Sequence, residues 1–483
     1  MKSWTLKSNE ISVIFCLSLM IFLSLFNYSV LRVLKDSLVV PNIGAEAISF
    51  IKFFCIIPTA CLLVISYIKL LDKFSFRMLY IIIASSFLIF FLIFGFILYP
   101  NQELIHPSTD MINNLMQKNL DFLFFKISFL HFKWFLLIAN KWSYVLFYVV
   151  AELWSIMYVL LFWQLANQIT TTKTAKKYYS FFAFIGSLGT LVAGSMIKLS
   201  SDDGDALQQI KLIMLILSLT SLVLIFTVEF LVRRSIKDEE RLSNLVKKTS
   251  TKSKGLIPSL RLIFSSRYLG YITILIIAYG VALNLIEGPW KASIRNIYPD
   301  THNYMSFMAS VNQWTGGISM IIILLGAYII NKYSWFFAAI ITPVVFLFIG
   351  IIFFTILILN TKFNIYLSNF FDPLIFISYA GMIQIVLGKS TKYALFDITK
   401  EMVYIPVDKS IRNKGRAAVD MIGSRLSKGF ATLIQASIFI VFPTATYLTI
   451  SKTLMICFVL IVTLWIVAVF LLNKDYLEQL KLT

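Results

Sequence analysis

Inside the apolar stretches of this chain the ionisable residues are few. Each is costly to hold away from water, so each is a candidate for function. Arg32, Lys35 and Asp36 stand at the end of the first stretch, Lys52 in the second and Glu152 in the fourth. Glu287 and Lys291 close the seventh, and Arg425 with Lys428 sits in the eleventh. Charges of both signs in such places either pair between helices or face a water-filled path that carries a charged solute.

Glu152, in YVVAELWSIMYVLLFWQLANQ, has Trp154 beside it and no Lys or Arg nearby, so it needs a remote partner. A structural ion pair and a gate or solute-site carboxylate both fit. Lys52, in ISFIKFFCIIP, either snorkels to the headgroups or contacts the solute. Gln164, Asn167 and Gln168 bring amides to the end of the fourth stretch, where they serve a solute or bond helix to helix.

Other chemistries find no support. Cys16, Cys55, Cys61 and Cys457 fall in apolar runs without a CxxC pair and read as core residues. His106, His131 and His302 lie in connecting segments without a second ligand at helical spacing, so no metal is implied. LGKST at 387–391 resembles the tail of a phosphate-binding P-loop, but Ile383 stands where the loop's first glycine belongs. No nucleophile elbow, HExxH or dinucleotide motif appears, and nothing argues for an enzyme or a cofactor.

The elements that must position these charges are membrane helices. Hydrophobic residues make up 59% of 483 positions, and the mean hydropathy is +0.82. Both lie far above globular values, so the partner is a lipid bilayer. The net charge of +19 is scattered between apolar runs, which excludes nucleic acid and fits headgroups, topology and an anionic solute. Windows of roughly 20 apolar residues, enough to cross the hydrocarbon, fall at 10–33, 47–71, 78–99, 142–166, 178–198, 211–232, 268–288, 306–330, 335–359, 370–388, 418–442 and 449–473. The apolar run at 11–31 is too long for a signal peptide and lacks a cleavage site, so it is read as the retained first span.

The expected fold class is therefore an all-α integral membrane protein of about twelve helices. The segment 121–140 carries Lys126, His131 and Lys133 and is expected to lie at the outer surface as an amphipathic helix. With both termini cytoplasmic, the inner segments then hold most of the Lys and Arg, as the positive-inside rule requires. The polar, basic stretch 233–267 divides the chain into six-helix bundles at 1–232 and 268–483, a major-facilitator-like plan.

One charged run remains, KYALFDITKEMVYIPVDKSIRNKGRAAVD at 392–420, expected to join the tenth and eleventh spans on the inner side. Asp397, Glu401, Asp408 and Asp420 accompany its cations, which suggests ion pairs that form and break between two states. KYALFDITKEMVYIPVD followed by KGRAAVD strongly resembles the signature of the ATP:ADP antiporters of rickettsiae, chlamydiae and plastids. Further matches follow in order along the chain: NYSVLRVLKDSLVV at 27–40, FYVVAELWSIMYVLLFWQLANQITTTKTAKKYY at 147–179 and IEGPWKASIRNIYP at 286–299.

The resemblance implies a nucleotide antiporter that exchanges host ATP for bacterial ADP across the bacterial inner membrane; a monomer without cofactors is the expectation, though the sequence itself does not give the oligomeric state. It marks Lys52, Glu152, Glu287 and Lys392 as the important charges; Arg32, Lys35, Asn167, Lys291 and Arg425 complete the candidate transport site. Several cations gathered in one place would neutralise a polyphosphate. Three departures from the family pattern, SFIKFF before Lys52, Ile398 after Asp397 and LSKGF after Arg425, bear on which nucleotide is carried. GTP/GDP, CTP or UTP on the same fold is the first alternative; a non-transporting membrane enzyme or lipid-handling protein is the second, and it would need a catalytic cluster at the membrane face that the sequence does not offer.

Overall fold

The structure, a computed structural model, describes residues 8–122, 125–169, 172–200, 205–235, 266–363, 372–404, 406, 419, 423, 427 and 429–482. Among these, eleven helices are long and apolar enough to cross a membrane: α1 (Ser12–Asn42), α2 (Ala47–Leu71), α3 (Phe76–Leu98), α4 (Trp142–Ala166), α5 (Phe181–Leu199), α6 (Ala206–Arg233), α7 (Arg267–Ile297), α8 (Thr301–Ile330), α9 (Trp335–Asn360), α10 (Pro373–Met402) and α12 (Ser451–Gln479). A shorter apolar helix, α11 (Gly429–Val441), falls in the window expected at 418–442, most of whose first half lies outside the described residues. The chain is a multi-pass, all-α membrane protein.

The helices end where the sequence supplies caps and turns. Ser75, Ser266, Asp300 and Asp372 each accept a backbone N–H at the start of α3, α7, α8 and α10, satisfying a donor the helix cannot. Gly44 turns α1 into α2 at φ +135°, where a side chain would be strained and would press on Trp134 and Arg295. Large apolar side chains face outward, with Phe15, Phe226 and Phe348 each more than 60% exposed, as suits a surface solvated by lipid.

Helix α1 runs through the middle of the first six helices and packs on α4, α5 and α6; α7 packs on α10 and α12. The most extensive contact, α5 against α8, joins the first six helices to the last six. It depends on small residues: a Cβ on Gly194 would meet the Ala309 carbonyl, and one on Gly316 the backbone of Leu191.

Three expectations need correction. Asn119–Phe122 pairs antiparallel with Phe125–Ser128 as two short β-strands, and only Phe129–Asn140 is helical. That helix is too short to span; it buries Trp134, and His131 Nδ1 lies 2.8 Å from the Ile440 carbonyl. Next, the charges assigned to helix ends lie inside helices: α1 runs beyond Asp36 to Asn42, and α7 beyond Lys291 to Ile297. Last, α10 does not stop at 388 but continues to Met402, so Lys392 and Asp397 belong to a spanning helix rather than to a connecting segment. In the last two cases a hydropathy window ended at charges that neutralise one another in three dimensions.

Candidate functional site

Five helices bring their charges to one place. On α1, Tyr28, Arg32, Lys35 and Asp36 share a face at helical spacing; on α7, Asn284, Glu287 and Lys291 do the same, and on α10, Lys389, Lys392 and Tyr393. Glu152 of α4 and Lys52 of α2 complete the set. Together they line a cavity of about 540 Å³ within the helical bundle.

Trp290 sets the approach of α7 to α10. Its indole lies on Gly381, where any side chain would displace it, and its Nε1 donates to the Ser378 carbonyl at 2.9 Å. That contact brings Glu287 within reach of Lys389, 102 residues away in sequence. Pro289 lacks the N–H that would bond the Leu285 carbonyl, loosening the helix just beyond Glu287.

The ion pairs form one network. Arg32 Nη2 and Lys389 Nζ both reach Glu287 Oε1, at 2.9 and 3.2 Å. Lys35 Nζ contacts Glu152 Oε1 at 2.8 Å and lies 3.8 Å from the centre of the Tyr148 ring. Lys291 Nζ meets Asp36 Oδ2 at 2.9 Å, with both side chains almost wholly buried. Glu152 thus has its remote partner in Lys35, and Arg32–Glu287 and Asp36–Lys291 tie α1 to α7.

Lys52 points inward rather than snorkelling: its Nζ donates to Asn284 Oδ1 at 2.8 Å. Lys392 Nζ pairs with Asp397 Oδ2 at 2.7 Å beside the rings of Tyr279 and Tyr393. Both lysines occur in short π-helical segments, Ile51–Ile56 in α2 and Lys392–Phe396 in α10, a distortion often found at functional sites. Six cations, Arg32, Lys35, Lys52, Lys291, Lys389 and Lys392, line this cavity against Asp36, Glu152 and Glu287. Asp397 on an adjoining lobe is a fourth carboxylate, so among the described residues the cations exceed the carboxylates by two.

That second lobe, about 460 Å³, lies between α1, α5, α8 and α10 and shares Tyr28, Arg32 and Tyr393 with the first. It is largely apolar and aromatic, with hydroxyls and one amide. Among the described residues, polar contacts close the cavity at the end of the bundle near Asn42. Asn42 Nδ2 donates to Thr301 Oγ1 at 3.1 Å, and Glu46 Oε1 accepts the Tyr447 backbone N–H at 3.0 Å. Toward the opposite end the lining continues along Ala60, Cys61 and Val64.

Some expected residues stand elsewhere. Gln164 Oε1 accepts from the Tyr67 hydroxyl at 2.5 Å and so serves a helix-to-helix bond. Asn167 lies in the last turn of the helix Trp142–Ile169, its side chain outside the described residues, and Arg425, Lys428, Asp408 and Asp420 also lie outside them. Lys389 and Asn284 join the cavity although the sequence reading passed over them. Lys389 was visible only as part of the P-loop look-alike, yet its spacing of three from Lys392 places both on one helix face.

Residues 1–476 match the family described as TLC ATP/ADP transporter. The chain belongs to that family. Among family relatives, ADP,ATP carrier protein 3 of Rickettsia bellii (strain RML369-C) is 38% identical over 504 aligned positions, covering 99% of this chain and 97% of that one. ADP,ATP carrier protein 4 of Rickettsia felis (strain ATCC VR-1525 / URRWXCal2) is 37% identical over 493, covering 99% and 94%. In fold, this family member is similar to a D-xylose-proton symporter, at TM-score 0.57 and 13% identity, over 95% of this chain and 97% of that one. A bacterial homologue of the iron transporter ferroportin gives 0.57 and 12%, over 97% and 98%.

Proposed function

We propose that this chain is an antiporter that exchanges host ATP for bacterial ADP across a bacterial inner membrane, by alternating access of one central site. The observation that carries the reading is the buried cavity in which six cations outnumber the carboxylates. Positive charge left uncompensated among membrane helices suits an anionic solute that completes the balance. The family and the names of its rickettsial relatives support adenine nucleotides as that solute.

In this scheme Lys52, Lys389 and Lys392 contact phosphates, each through charge-assisted hydrogen bonds. Glu152 and Glu287 hold Lys35 and Arg32 until substrate competes for those cations. The bundles 1–232 and 268–483 rock about the site, with 233–267 between them and both termini cytoplasmic. Asn167 and Arg425 remain candidate solute contacts, and a single copy of the chain suffices.

Exchange rather than net import follows from the same charge. An empty cavity must carry its excess positive charge through an occluded state, at about 2.5–3.5 kcal/mol per charge on the insertion scale. Bound nucleotide removes that cost, so the loaded form reorients and the empty form does not. The test uses proteoliposomes with and without internal ADP. Labelled ATP should enter only the preloaded vesicles rapidly; equal initial rates into empty vesicles would replace antiport with uniport.

A further inference from the structure

We infer that the second lobe, between α5 and α8, is the site for the nucleobase, and that it selects bases carrying an exocyclic amine. This deepens the antiporter reading and rests on it. The two lobes meet at Tyr28, Arg32 and Tyr393 but differ in chemistry. One holds the cations. Among the described residues, the other has Arg32 and Asp397 as its only charged lining residues, and Trp163 and Phe182 offer ring surfaces. A nucleotide has the same division, a polyanion joined to a flat, polar-edged ring, and a solute lying across the shared waist places each part in the matching lobe. Ring surfaces suit the faces of any base.

The edge is read by hydrogen bonds, and the α5 and α8 hydroxyls whose protons are engaged face this lobe as acceptors, while Arg32 and the Tyr28 and Tyr393 hydroxyls supply donors at the waist it shares with the first lobe. Ser187 Oγ donates its proton to the Ala183 carbonyl at 3.0 Å, and Thr315 Oγ1 donates to the Val311 carbonyl at 2.7 Å. Thr190 Oγ1 receives the Ser29 hydroxyl at 3.1 Å and itself turns to the Gly186 carbonyl at 3.4 Å. A hydroxyl whose proton is engaged by its own helix presents lone pairs to a ligand. Asn312 Nδ2 donates one proton to the Ser29 carbonyl at 2.9 Å, which leaves its oxygen as an acceptor and its second N–H as a donor. Asp397 is an acceptor as well. A lobe rich in acceptors pairs with N–H donors and leaves its lone pairs opposed when a carbonyl occupies the same place. The amine of adenine satisfies it; the carbonyl that replaces that amine in hypoxanthine does not.

The experiment is exchange of labelled ADP into ADP-loaded proteoliposomes, with ATP and ITP as competitors that differ at that one substituent. The parent should prefer ATP by at least tenfold. The double variant Ser187→Ala, Thr315→Val removes acceptors whose own bonds are local, and should cut the preference to threefold or less while the preference for ADP over AMP stays as in the parent. Lys389→Gln should do the reverse, weakening discrimination between ADP and AMP while leaving ATP over ITP intact. Folded variants are recognised by parent-like elution on size exclusion. If ITP competes as well as ATP in the parent, or if the double variant keeps the full preference, the base is not read here. A parent that exchanges ITP for ADP but does not discriminate would overturn this inference alone. A parent that exchanges no nucleotide would overturn the antiporter reading itself.

Discussion

Lys52 and Asn284, 232 residues apart, form the one contact of the cavity in which a lysine ends on a neutral acceptor: Lys52 Nζ donates to Asn284 Oδ1 at 2.8 Å. Among the described residues the other five cations each have a carboxylate within 4 Å. Replacing Lys52 with Gln therefore strands no buried charge. Its stability should match the parent, while its KM for ADP rises about 10- to 100-fold, the loss of one charge-assisted hydrogen bond to phosphate. Initial exchange rates over a range of ADP, beside thermal unfolding in detergent, check both halves. A variant that melts early would show that Lys52 serves the fold.

Glu287 should behave in the opposite way. It accepts from Arg32 and Lys389 and lies near Lys291, so Glu287→Gln leaves three buried cations short of their shared partner. Removing one member of a buried pair costs about 3–5 kcal/mol, and a clear fall in the unfolding temperature is expected together with lost exchange. Adding Lys389→Met to Glu287→Gln reduces the stranded charge and should recover part of the stability but none of the transport. Equal stability of the single and double variants would dissolve the proposed network.

The contacts near Asn42 must break if the cavity is to open at that end. Asn42 and Thr301 lie in hydrogen-bond contact at an exposed position, so cysteines placed at both, in a chain whose own four cysteines are replaced by serine or alanine, should form a disulfide under mild oxidation. Exchange should fall at least tenfold on oxidation and return with reductant. Undiminished exchange in the crosslinked carrier would mean that this end stays shut throughout the cycle.

His106 lies outside the spanning helices, buried, with Nε2 2.7 Å from Ser143 Oγ. Burial first, and Lys141 second, lower its pKa from the ordinary value of 6.5 to about 4. The folded form thus holds this imidazole neutral where the unfolded chain would take up a proton. Stability should be full above pH 6.5 and decline as the pH falls from about 6.5 toward 4, by ~1 kcal/mol or more. Unfolding temperatures at pH 7.5 and 5, compared with those of His106→Gln, measure it. A parent and variant with the same pH profile would remove His106 as the cause.

The helical plan was legible because apolar length alone decides whether a segment can cross hydrocarbon, and most windows fall within a few residues of their helices. Family motifs singled out Lys52, Glu152, Glu287 and Lys392, whose side chains all line one cavity. Helix ends at charged residues were not legible. A hydropathy sum scores Asp36 and Lys291 separately as costs, whereas in space they cancel at 2.9 Å. Lys389 was hidden for the same reason, since nothing near it in sequence announces Glu287. The strand pair at 119–122 and 125–128 escaped because its apolar residues also fit a helix, and pairing between strands is invisible to a window.

The π turns at Lys52 and Lys392 have a consequence for how these helices tolerate insertions and deletions. Each holds one residue more than an unbroken α ladder would accommodate. The wide turn takes up that extra residue, so the helix on either side keeps its facing. Losing a single residue within 51–56 or 392–396 would restore ordinary helix at about 3.6 residues per turn and leave the flanking faces where they were. Lipid would barely register the change. The cation inside the turn would register it, since Lys52 reaches Asn284 and Lys392 reaches Asp397 from the widened backbone. A one-residue gap in either place, silent to membrane insertion, would leave a correctly threaded protein with that one charge displaced.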